Sequence, residues 1–158
     1  MSALPILAAG DLLLYDKRGL FNWIIKIKTW GPVSHCEVCI SPWRVAASRN
    51  LKGVGLYSLD TEGLAWVLRP KEPFQLKAAM DWYMREARGQ GYDLLGLFNF
   101  YSAALSGRDN GRMFCSEFAT RFLRAGGVEP FKPDTDADRV APSTFLRYSP
   151  AFEVVWRG

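Results

Sequence analysis

Between residues 34 and 70 the chain breaks into four short runs: "SHCEVCIS" (34–41), "WRVAAS" (43–48), "GVGLYSL" (53–59) and "AWVLRP" (65–70). Each is rich in β-formers and is cut off from the next by turn residues, so each reads as a strand. The turn at Ser41-Pro42 makes the first two neighbours. A fifth run, "GDLLLYD" (10–16), is apolar and bounded by Gly and Asp, and it reads as another strand. Most of the remaining chain follows a different period. "LFNWIIKIKTW" (20–30) carries a helical apolar stripe with Lys26 and Lys28 on its wet side, and the Gly31-Pro32 step breaks it. "PFQLKAAMDWYMREARG" (73–89), "DLLGLFNFYSAAL" (93–105), "CSEFATRFLRAGG" (115–127) and "APSTFLR" (141–147) are expected helices, and "AFEVVWR" (151–157) a closing strand. Strands first and helices later predict an α+β fold.

The chain has 158 residues, which suits one domain over 1–158 with a real core. Hydrophobic residues make up 49%, enough to exclude a disordered segment. The net charge of +4 is spread along the sequence, which suits an anionic surface such as a wall polymer or lipid headgroups but gives no nucleic-acid footprint. The apolar start lacks a basic region and ends at Asp11, so no signal peptide is expected. No apolar run approaches the roughly 20 residues of a spanning helix. The expected location is cytoplasmic at synthesis, with delivery to the envelope by another route left open. Three cysteines without an export signal are expected to be thiols.

Two of the runs carry chemistry. Cys115 follows a polar loop and opens a predicted helix, where unpaired N–H groups and the helix dipole favour a thiolate. The same N–H groups could hold an oxyanion. His35, the one histidine in the chain, opens a predicted strand and is the side chain suited to activate that thiol. Spacing alone cannot bring residues 35 and 115 together. Nor does it choose the group that would orient the imidazole. Glu37 shares a strand face with His35 and is the first choice, while Ser48 and Asn50, on or just after the next strand, are rivals. Cys36 and Cys39 match C-x-x-C and, with His35 and Cys115, would make a Cys3His set for zinc. Strand alternation opposes this, because 36 and 39 point to opposite faces, as do 35 and 36. We therefore expect no metal and no cofactor, with Cys36 and Cys39 as core thiols.

"GDLLLY", "SHCEV", "GQGYDLLGLF" and "FCSEFATRFL", in that order, resemble the circularly permuted branch of the NlpC/P60 cysteine hydrolases, a YiiX/LRAT-like branch of the papain-like fold. The resemblance covers roughly residues 9–147. In the permuted branch the His strand precedes the Cys helix, as His35 precedes Cys115 here. The resemblance implies Cys115 as nucleophile, His35 as base, and Tyr92 as a contact to substrate or oxyanion. The family's third residue is a polar group, usually on the strand after the His strand. Here that strand ends in Ser48, with Asn50 just beyond, and holds no acid.

The resemblance implies a thiol peptidase or amidase that cleaves an amide bond through an acyl-enzyme, with peptidoglycan peptides of a bacterium or phage as one substrate class. The same chemistry would serve a lipid acyltransferase or deacylase, for which the tryptophans could line an acyl groove or touch a membrane surface. A scaffold without turnover, acting as a binding or structural module, is the third reading.

Overall fold

The computed structural model describes residues 3–18, 31–91 and 113–158. The expected helices over 20–30 and 93–105, and Tyr92, lie outside the described residues.

Six antiparallel strands form one sheet: β1 (Leu12–Tyr15), β2 (His35–Ser41), β3 (Arg44–Arg49), β4 (Gly53–Ser58), β5 (Leu64–Pro70) and β6 (Phe152–Arg157). Their order across the sheet is β4-β3-β2-β1-β5-β6. The first four strands make a meander. The fifth does not continue it: β5 returns to the free edge of β1, and the C-terminal strand β6 adds outside it. This places β1 and β2 at the centre of the sheet, which explains why "LLLY" is buried along its whole length.

Alternation sorts the central side chains into two cores. Leu12, Leu14, Cys36, Val38 and Ala46 belong to the larger one, which includes Cys115, Phe118, Phe122 and Leu123. Leu13, Tyr15, Cys39, Val45 and Val67 belong to the other, closed over by Leu7, Leu59 and Trp156. Helix α1 (Leu76–Trp82) runs on into a wider turn over Tyr83–Ala87, and helix α2 (Cys115–Ala125) packs against β2 and β3. Across α1 and this turn the buried residues are Ala79, Tyr83 and Ala87, four apart. That spacing outruns a turn of about 3.6 residues, and the wider turn brings Ala87 back to the core. Trp82 seats this helix on the Phe118 and Phe122 rings of α2. A short helix α3 (Pro142–Tyr148) starts with proline at its first position, where no donor is lost.

Two contacts hold the frame around the site. Phe74 is wedged between Gly10 and Gly126, and a Cβ on either glycine would run into it; Gly10 also sits at φ +92°. Asp11 is fully buried beside β1 and takes both arms of Arg69 from β5, at 2.8 and 2.7 Å.

Candidate active site

The site forms where the start of β2 meets the start of α2. Glu37 lies two residues beyond His35, on the same strand face, and its side chain is fully buried. A buried carboxylate must have its lone pairs filled. Here they are filled on all sides. Oε1 accepts from His35 Nε2 at 2.9 Å and from Arg49 Nε at 2.7 Å. Oε2 accepts from Arg49 Nη2 at 3.0 Å and lies 3.3 Å from the Tyr15 hydroxyl, which also reaches the Asp60 carbonyl oxygen at 2.9 Å. Arg49 stacks over the Tyr57 ring, 4.4 Å from its centre, so its fork is held flat against the carboxylate.

The charges follow from this packing. Burial by itself would raise Glu37, but hydrogen bonds from His35 and Arg49 outweigh it and bring the carboxyl down to about 2. Burial and the neighbouring carboxylate push the Tyr15 phenol up, so it stays a neutral donor. Because the carboxylate can only accept, Nε2 of His35 carries a hydrogen, and Nδ1 is left for the thiol. The Cys115 thiol and the His35 ring lie near enough that each shifts the titration of the other. Burial pulls the imidazole down, yet the charge and hydrogen bond of Cys115, joined by Glu37, carry it up to about 9. The Cys115 thiol moves the other way, held well below the ordinary thiol range by hydrogen bonding from Cys36 and by the charge on His35, against the cost of burial. These opposite shifts favour a thiolate–imidazolium pair backed by a carboxylate.

Cys115 is the first residue of α2, with Phe114 extended before it. The first N–H groups of a helix have no acceptor within it, and its dipole favours negative charge there. The segment before the helix is pinned by Ser48, whose hydroxyl donates to the Met113 carbonyl at 2.7 Å. Inside the helix, the Ser116 hydroxyl donates to the Val140 carbonyl.

The structure therefore brings together Cys115, His35 and Glu37. It leaves Ser48 and Asn50 out of contact with the imidazole. Ser48 points to the helix side of β3 and ties down Met113; Asn50 is exposed in the turn after β3. The sequence reading missed the residue between them. Arg49 is the cation that a buried Glu37 requires, and that requirement was the one available signal. It also missed Tyr15, and it had Cys36 as a core thiol, which it is, without its nearness to Cys115. Alternation does send Cys36 and Cys39 to opposite cores. But His35 opens its strand, and at the strand's end its ring reaches the same thiol that Cys36 meets from the helix side.

No protein-family model matches the sequence, and no curated protein matches it. Among solved structures the chain is similar to the crystal structure of metalloprotein yiiX from Escherichia coli O157:H7, DUF1105. The TM-score is 0.70 over 95% of this chain and 97% of that one, at 16% identity. The two share a fold. The name of that protein points to a metal. Among the described residues here, no group of three His, Cys, Asp or Glu side chains is arranged to hold one.

Proposed function

We propose that the chain is a thiol hydrolase of the permuted papain-like type that cleaves an amide bond, with cell-wall peptides as its substrate class. One observation carries this: the single histidine is held between a buried, ionised Glu37 and the thiol at the start of a helix. A core thiol and a core imidazole need no such charge. Burying it is costly, and a role at reacting atoms accounts for the cost.

In this reading the Cys115 thiolate attacks the carbonyl carbon, and the oxyanion forms against the first N–H groups of α2. The imidazolium of His35 donates its Nδ1 proton to the departing amine, leaving a thioester on Cys115. Neutral His35 then takes a proton from water as that water attacks the thioester, and the thiolate leaves with the acid product. Glu37 fixes the ring through Nε2 and stays ionised throughout, because Arg49 holds it so. No step passes through a metal.

The likeness to YiiX supports the scaffold, and the order of His strand before Cys helix suits the permuted branch. The test offers muropeptides, short-chain thioesters and phospholipids side by side to the wild type, Cys115→Ala and His35→Ala. We expect amine release from the muropeptides and a loss of at least roughly a thousandfold in either variant. Turnover of the lipids alone would replace the amide reading with the acyltransferase or deacylase one. Equal, sluggish alkylation of all three cysteines by iodoacetamide would leave an inert module.

A further inference from the structure

The mechanism above does not use Cys36 as a reactant, yet Cys36 makes close contact with the nucleophile. It faces the helix side of β2, opposite Leu14 of β1, in the same core as Cys115. The two thiols shift one another's titration in opposite directions, as near neighbours do. Both sulfurs are buried, Cys36 completely. The strand and the helix that carry them pack directly on one another. Cys39 is excluded from this contact: it lies in the opposite core, near Asp11 and Glu37.

We propose that Cys36 is the resolving thiol of Cys115, closing an intramolecular Cys36–Cys115 disulfide when a peroxide oxidises the nucleophile. The proposal rests on the reading of Cys115 as an activated thiolate. The thiolate attacks the O–O bond of hydrogen peroxide and becomes a sulfenic acid, releasing hydroxide. The Cys36 thiol gives its proton to that hydroxide, making water, and the resulting thiolate attacks the sulfenic sulfur. The S–S bond forms as the sulfenic oxygen leaves, taking the proton of the His35 imidazolium to become the second water. Two thiols have lost two hydrogens, and one peroxide has become two waters. A dithiol such as dithiothreitol returns the two electrons. The disulfide would switch the hydrolase off and shield Cys115 from irreversible oxidation. Burial raises the Cys36 thiol, which keeps it protonated beside Cys115 until the sulfenic acid forms.

The experiment treats the full chain with hydrogen peroxide and maps the cysteines by mass spectrometry, with a parallel iodoacetamide rate for each thiol. The expected product has lost two hydrogens, links the Cys36 and Cys115 peptides, and regains activity and mass in dithiothreitol. Cys36→Ser should instead accumulate sulfinic and sulfonic acid on Cys115, which dithiothreitol does not reverse. The wild-type map decides the matter even where the variant folds poorly. Sulfinic acid on wild-type Cys115, or a link through Cys39, would overturn the proposal while leaving the nucleophile intact. A Cys115 that reacts with neither peroxide nor iodoacetamide would overturn both readings together.

Discussion

Two buried carboxylates in this sheet are held by arginines in nearly the same way. Asp11 takes Arg69 at 2.8 and 2.7 Å; Glu37 takes Arg49 at 2.7 and 3.0 Å. Both carboxylates are fully out of water. The difference lies in what else they touch. Asp11 accepts from the Ala8 backbone N–H and so fastens the chain before β1 to β5. Glu37 accepts from His35 and, through it, faces Cys115. A fully buried carboxylate gripped by an arginine is thus a structural joint at both places. It joins the candidate site only where the His35 ring stands between it and the Cys115 thiol. The cysteines divide along the same line. Burial and the charges of Asp11 and Glu37 push the Cys39 thiol up to about 12, which makes it inert, whereas Cys115 is held low by Cys36 and His35.

The sharpest way to break the comparison is to neutralise each acid. Glu37→Gln should lower kcat by roughly a hundredfold or more, since the imidazolium loses its counter-charge. Its alkaline limb should also move down from about 9. Asp11→Asn should leave the turnover of the remaining folded protein within about twofold, because it costs stability alone. Equal losses in both variants would show that Glu37, too, is only a joint.

Removing the arginines tests stability next. Arg49→Met strands a buried carboxylate and should cost about 3–5 kcal/mol in urea unfolding. Arg69→Met should fall at or below the low end of that range, since its side chain is a third exposed. Arg49→Met should also shift the pH profile of activity, and Arg69→Met should not.

The pH dependence of stability has a definite sign at the site. The folded Glu37 carboxyl sits near 2, below its unfolded value of about 4.3, so it contributes stability above that value. That share, about 3 kcal/mol from the size of the shift, should be lost as pH falls toward 2. His35 is raised to about 9, so its share is full below about 6.5 and is lost as pH rises through 9. Thermal melts across this range in wild type and Glu37→Gln would separate the two limbs, and the acid limb should shrink in the variant. The smallest effect expected is from chelation: EDTA should leave hydrolysis unchanged. A loss restored by zinc would return the Cys–His cluster to metal chemistry.

Much of the fold was legible because it is local. The strands at 10–16, 34–41, 53–59 and 65–70, the helix begun at Cys115, and the proline-opened helix near 141–147 all follow from period, turn residues and caps, and the structure keeps each within a residue or two. The return of β5 to the free edge of β1 was not legible, because no neighbouring residue specifies which distant edge a strand will join. The same division runs through the site. The sequence by itself determined that one histidine and one helix-opening cysteine were the residues able to form a dyad, and that Glu37 would share the histidine's face. Tertiary structure alone decided that His35 and Cys115 come together, that Glu37 rather than Ser48 or Asn50 bonds the imidazole, with Arg49 as its counter-charge, and that Cys36 comes near Cys115 from the helix side. The physical reason is that alternation fixes only the face on which a side chain lies. Which groups lie opposite one another in the dry interior depends on the register between strands and on the seating of the helix, and there an unpaired charge is costly enough to select its partner.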